Sequence, residues 1–376
     1  MDGLYIHIPF CIRKCNYCDF FSVPARSDAL LAYVALLKKH LSWAVEQGWQ
    51  GPVNTIYFGG GTPSLLPPQC IDTLVCAIDR QLGIAPEAEI TLEANPETVT
   101  KASLCGYQKS GVNRISIGLQ TLNSEQLACL GRPHTVQDGL NAVAWARRAG
   151  FSNLSVDLMF ALPGQTLPAL DRDLEQYLQL APEHLSCYGL TADVGTSLGK
   201  KVDKGQVILP SDECYAEYYM SIHDLLTAHG YQHYEIANYA RKSHVCRHNM
   251  GYWQRRSYLG LGAGAHSFEN RLGGCRWAVP NNLDHYRMAL ETGQEPAVCL
   301  ESFTLREALI ETIYLGLRTA EGVSDRELDV KFGTDLASAF PVAVQSLLPW
   351  LTKEGDRWYL TPRGWLLYDR LIQAFF

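Results

Sequence analysis

The chain has 376 residues, which at about 150 residues per domain predicts two or three domains. Hydrophobic residues make up 47% and charged residues 19%, a composition that can bury a large core and excludes intrinsic disorder. The net charge of −7 argues against broad nucleic-acid binding, and twelve cysteines are too sparse for a disulfide scaffold.

Short apolar or β-branched runs at 4–9, 54–58, 89–94, 114–119, 154–159 and 184–190 predict strands. Amphipathic stretches at 28–47, 67–82, 100–110, 135–149, 168–180 and 211–229 predict helices between and after them. Asp28 and Ser211 suit N-caps, while Gly83, Gly111, Gly150 and Gly230 each stop a helical stretch. Strands alternating with helices imply βαβ units and a parallel sheet. An eight-unit barrel takes about 250 residues, roughly 30 per unit, so six units fit the first 230 residues and eight do not. The predicted fold class is therefore α/β, an incomplete (β/α)6 TIM-like barrel, with an open doubly wound sheet as the alternative.

Residues 231–300 are rich in Tyr, His, Asn and Gly, lack βα regularity and contain GLGAGAHSF at 260–268; they are expected to form a connecting segment. From 301 to 376 a helical stretch at 303–318 precedes short helices, and DRWYLTPRGWLLYDRLIQ reads as a hairpin followed by a helix. This predicts a mainly α, winged-helix-like domain, whose eight basic and eleven acidic residues disfavour DNA. The opening residues lack the basic and apolar regions of a signal peptide, and no apolar run reaches about 18 residues. The expectation is a soluble, cytoplasmic protein with no transmembrane segment.

Cys11, Cys15 and Cys18 form C-x3-C-x2-C directly after the first predicted strand. Three thiolates on one short loop can wrap a single metal centre, whereas a disulfide would leave an odd thiol. Structural zinc usually takes four protein ligands, and no fourth Cys or His lies close by. Thiolate-only ligation suits a [4Fe–4S] cluster with one iron left free for a substrate. At the following strand ends, Gly59, Gly60, Gly61 and Thr62 allow close backbone approach to a ligand. Glu93, Gln120, Arg132 and Asp157 could satisfy a zwitterion and two ribose hydroxyls; singly, each reads as a core salt bridge or a turn.

The cysteine motif, with Tyr17 before its last Cys, resembles the radical S-adenosylmethionine (SAM) superfamily. LYIHIPFC at 4–11, GGGTPS at 59–64, LEANPE at 92–97, RISIGLQ at 114–120, LGRPH at 130–134 and DLMFALPGQT at 157–166 resemble one branch of it. That branch contains oxygen-independent coproporphyrinogen III dehydrogenase and its relatives. The resemblance implies a cluster on Cys11, Cys15 and Cys18, with Tyr5, Gly60, Gly61, Thr62, Glu93, Gln120, Arg132 and Asp157 contacting SAM. It also implies that SAM chelates the open iron and that an electron from the cluster cleaves its sulfonium, giving methionine and a 5′-deoxyadenosyl radical. His266 would lie near the adenosine end of SAM.

Three departures separate the chain from the dehydrogenase, which decarboxylates two porphyrinogen propionates oxidatively. Phe20 stands where that enzyme has a fourth Cys, only three residues precede Leu4 where it carries an N-terminal arm, and 248–253 read HNMGYW. The last matches the HNxxYW pattern of HemW-type haem chaperones, which are thought to bind haem and pass it to acceptor proteins. By this resemblance the cofactors are the cluster and SAM, and haem is the cargo. The partners are haem-acceptor proteins and an electron donor such as a flavodoxin or ferredoxin, with a monomer or homodimer. His248 could offer its imidazole to haem iron, with Tyr252 and Trp253 providing apolar faces and Arg247, Arg255 and Arg256 meeting the propionates. Cys246 and His266 are competing ligands, and the plainer reading of HNxxYW is a packed core segment.

Overall fold

In the computed structural model, which describes residues 1–376, six parallel strands lie side by side in the order in which the chain makes them. They are β1 (Gly3–Ile8), β2 (Val53–Gly60), β3 (Ile84–Ala94), β4 (Arg114–Gln120), β5 (Leu154–Phe160) and β6 (His184–Gly189). A doubly wound sheet reverses its strand order at a switch point. No reversal occurs here, so the helices keep to one side, as in a barrel. The connecting helices are α1 (Ser27–Glu46), α2 (Pro68–Leu82), α3 (Lys101–Lys109), the pair α4 (Ser124–Leu130) and α5 (Val136–Arg148), and α6 (Leu167–Gln179).

Local signals set these boundaries. Thr100–Ser103 and Thr135–Asp138 form reciprocal capping boxes at the starts of α3 and α5. Gly83, Gly111, Gly150 and Gly230 all have positive φ just past a helix. Ser211 caps α8 (Asp212–Ala228), which follows the short α7 (Ser197–Asp203), by accepting from the Cys214 N–H. Asp28 is no cap, because α1 already begins at Ser27; its charge sits in the first turn instead. On α5 the residues Gly139, Ala142, Val143 and Ala146 recur at helical spacing and are buried on the sheet.

Residues 231–300 extend both edges of this sheet. After β6, β7 (Gln232–Glu235) and β8 (Asn238–Ala240) form one edge, with β8 paired to β6. At the other edge β9 (Tyr258–Leu261) runs parallel to β1, with Leu4 opposite Leu259. Then β10 (His266–Glu269), β11 (Cys275–Ala278) and β12 (Val298–Ser302) continue antiparallel. Between β8 and β9 lies α9 (Arg247–Trp253), which carries HNMGYW; α10 (Leu283–Thr292) lies between β11 and β12.

The C-terminal unit opens with α11 (Leu305–Leu317). Its three-stranded antiparallel sheet is β13 (Val323–Ser324), β14 (Leu351–Glu354) and β15 (Arg357–Leu360), surrounded by short helices. The hairpin and following helix read from the sequence are both present. Trp365 donates its indole N–H to the Leu317 carbonyl at 2.9 Å, and one apolar core runs unbroken from Leu4 to Phe375. No helix is long and apolar enough to cross a membrane.

Candidate functional site

Because successive side chains of a strand point to opposite faces, each barrel strand divides its residues between two environments. Leu4, Ile6 and Ile8 belong to the apolar core. The alternate positions carry polar groups that bond across the strands on the inner face. Tyr57 donates to Glu93 Oε1 at 2.8 Å, Ser116 to Asp157 Oδ1 at 3.2 Å, and Ser155 meets His184 Nδ1 at 2.8 Å. A polar lining concealed inside buried strands is the physical mark of this site.

At the C-terminal ends of the strands these groups open into a cavity of about 430 Å³. Cys11, Cys15 and Cys18 line it, together with Gly60, Gly61, Thr62, Glu93, Gln120, Arg132 and Asp157. The cysteine loop is anchored firmly. Asn16 bonds the α4 C-terminus through its main-chain N–H to Leu130 O at 3.0 Å and through its side chain to Cys129 O at 2.9 Å. All three thiols are free and partly buried, and two face donors: Thr62 Oγ1 lies 3.5 Å from Cys11 Sγ, and Arg132 Nη1 lies 3.4 Å from Cys15 Sγ. Burial, reinforced by the neighbouring Cys15 and Cys11, pushes the Cys18 thiol up, so it calls for compensating positive charge. Three thiols on one loop are the soft donors that iron–sulfur clusters take.

The remaining walls fit a zwitterionic ligand. Arg132 binds Asn95 Oδ1 at 2.7 Å and Gly118 O at 3.0 Å, yet its buried Nε has no partner, a donor left for a carboxylate. Burial pushes Glu93 up to about 7 against the hydrogen bond from Tyr57, and pushes Asp157 up to about 6 against the Ser186 and Ser116 hydroxyls. Carboxyls whose ionisation is opposed by burial gain from a cationic ligand. A Cβ on Gly61 would fall 2.8 Å from Phe10 O and 2.9 Å from Ile8 O, so only glycine leaves this backbone in place. Gln120 holds φ 67°, a left-handed residue at a strand end, where strain accompanies binding sites.

Tyr5 stands beside this set, stacked on Tyr57 with its ring against Gly59. Its hydroxyl bonds His7 Nδ1 at 3.1 Å, and it lines a second cavity of about 620 Å³ rather than the first. That cavity lies between β1, β9, β10, the end of α9 and α11, and Tyr252, Trp253 and His266 line it. His266 lines this second cavity together with Tyr5 and His7. Asp19 and Phe20 line both cavities, so the cysteine loop forms the wall between them.

The structure also corrects the expectation for His248. It is 3% exposed and stacked on Tyr57, with Nδ1 bonded to Thr55 Oγ1 and Nε2 to Tyr252 Oη, each at 2.8 Å. Neither ring nitrogen is free for a metal, and burial pushes its pKa down to about 3. Cys246 is fully buried against Glu89, whose carboxylate also accepts the Arg247 and His248 N–H groups at 3.1 Å each. Arg247 is spent on Glu87 O and Arg255 on Glu311, leaving Arg256 exposed. The HNMGYW helix thus packs into the barrel's polar interior, and Tyr252 and Trp253 of its last turn face the second cavity. Asn95, Ser116 and Tyr188, which the sequence did not single out, also line the first cavity; for Asn95 and Tyr188 a place at a strand end was the available signal.

Comparison with known proteins adds to this geometry. The chain matches the model of the Radical SAM superfamily over residues 5–179 and that of the HemN C-terminal domain over 303–367. It is 34% identical to the heme chaperone HemW of Bacillus subtilis, covering 100% of this chain and 99% of the relative. To HemW of Escherichia coli it is 42% identical over 70% of this chain and 69% of the relative. Coproporphyrinogen III oxidase (HemN) from Escherichia coli shares the fold, with a TM-score of 0.86 and 21% identity over 99% of this chain and 89% of that one.

Proposed function

Since the chain belongs to the HemW family of the radical SAM superfamily, we propose that it is a cytoplasmic haem chaperone that binds haem and transfers it to acceptor proteins. In this reading Cys11, Cys15 and Cys18 hold a [4Fe–4S] cluster, and the first cavity holds SAM. The observation that carries the reading is that one cysteine loop walls off both a polar cavity with unpaired groups and a larger aromatic one. When bound, the cluster and SAM supply one-electron chemistry, with electrons drawn from a donor such as a flavodoxin or ferredoxin. The chain's own residues position and shield. The free Arg132 Nε meets the ligand carboxylate, Glu93 and Asp157 meet its positive charge, and Gly60 and Gly61 admit it against the backbone.

Glu93 gives this reading a pH signature. Its folded pKa is raised to about 7, so the ionised form that attracts a cation is lost as pH falls through that value. A carboxyl with this pKa is about one-tenth ionised at pH 6 and nine-tenths at pH 8. SAM affinity measured by calorimetry should accordingly rise about tenfold across that interval, and Glu93→Gln should flatten the rise. Equal slopes in both proteins would remove Glu93 from the ligand's charge.

The alternative, coproporphyrinogen III dehydrogenase, is not favoured by the HemW relatives, which span the whole chain. Reconstituted protein supplied with reductant, SAM and coproporphyrinogen III should give no protoporphyrinogen IX by chromatography. Multiple turnovers would put the dehydrogenase first.

A further inference from the structure

Cys275 and Cys299 lie at one edge of the large sheet, the first on β11 and the second on β12. Trp277 stands opposite Cys299 in the antiparallel pairing, and Cys275 is two residues before Trp277, so both thiols project from one face. Their sulfurs are 3.8 Å apart. Both thiols are free; Cys299 is exposed and Cys275 half-buried. The hydrogen bond with Cys275 pushes the Cys299 thiol up, so nearness rather than acidity favours their pairing. A covalent bond needs the sulfurs to close to about 2.05 Å. β12 can supply that movement. It is the last strand of the sheet, all five of its residues are exposed, and its register with β11 is already irregular between Arg276 and Trp277.

The same strand is where the chain leaves the barrel sheet. β12 leads through Phe303 into α11, whose Tyr314 and Leu315 line the second cavity. Non-covalent contacts hold it there. Arg276 bridges Glu301 of β12 to Glu311 of α11, and the Phe303 N–H donates to Gly274 O at 2.9 Å.

We propose that Cys275 and Cys299 form a reversible disulfide, a redox clasp that fixes β12 to β11 and closes the segment carrying α10 into a covalent loop. The oxidant is a small-molecule disulfide. The exposed Cys299 thiolate attacks it and breaks its sulfur–sulfur bond, giving a mixed disulfide and one released thiol. Cys275 then attacks the Cys299 sulfur and releases the second thiol. The two cysteines lose two electrons and two protons, and the two small thiols carry them away. Disulfides of this kind in a reducing compartment are transient and follow the state of the thiol pool. The clasp requires neither cluster, SAM nor haem, and its failure would leave the chaperone reading untouched.

The test treats the reconstituted full chain anaerobically with oxidised glutathione, blocks free thiols by alkylation, and maps the peptides without reduction. An intrachain link between Cys275 and Cys299 is expected, and dithiothreitol should reverse it. Cys275→Ser should instead accumulate glutathione on Cys299. Amide exchange across β12 should slow by about tenfold or more in the oxidised wild type, because exchange follows local opening. Oxidised Cys275→Ser should show no such slowing. Free thiols at both positions, glutathione on either one without the link, or a link between two copies would each overturn the proposal. A link that leaves the exchange of β12 unchanged would overturn the clasp.

Discussion

Alanine at any one of Cys11, Cys15 or Cys18 should abolish a four-iron cluster, while alanine at each of the other nine cysteines should leave it intact. These three thiols line one cavity, and two of them face hydrogen-bond donors. Losing one of three protein thiolates leaves two irons without protein ligands, and no other Cys lines the cavity to replace it. Cys70, Cys187 and Cys246 are buried elsewhere in the fold. Iron and sulfide content after anaerobic reconstitution, with the broad visible absorbance of the cluster, is the readout. Four irons in Cys15→Ala would show the assignment to be wrong.

The second large effect is on stability. His248→Ala should destabilise the protein by about 2–4 kcal/mol, because it opens a cavity and strands two buried hydroxyls. Thr55 Oγ1 and Tyr252 Oη would lose their partner, and Tyr57 its stacked ring. Denaturant midpoints would show the loss. A double-mutant cycle with Thr55→Val should reveal coupling across the 2.8 Å hydrogen bond. Wild-type stability combined with an altered haem spectrum would return His248 to the iron.

What could be read from the sequence followed from local physics. The strands and outer helices of the barrel carry 2.0 and 3.6 periodicities and end at capping boxes and positive-φ glycines, so they are legible one segment at a time. The cysteine loop is legible for the same reason, because its donors lie within eight residues. The strands of 231–300 are not. Each is five residues or fewer, and β9 pairs with β1 across some 250 positions of sequence, a contact no local pattern reports. His248 misleads because a motif reveals residue types but not partners. The groups that occupy its two nitrogens, Thr55 and Tyr252, lie 193 and 4 residues away.

Haem is the cargo proposed for this chain. The most direct measurement loads the cluster-containing protein with one equivalent of ferric haem, isolates it, and mixes it with an apo haem protein while following both Soret bands. Saturable binding of one haem per chain is expected, then loss of the donor band as the acceptor band grows. Non-saturable haem uptake with no transfer, alongside turnover of coproporphyrinogen III, would contradict it.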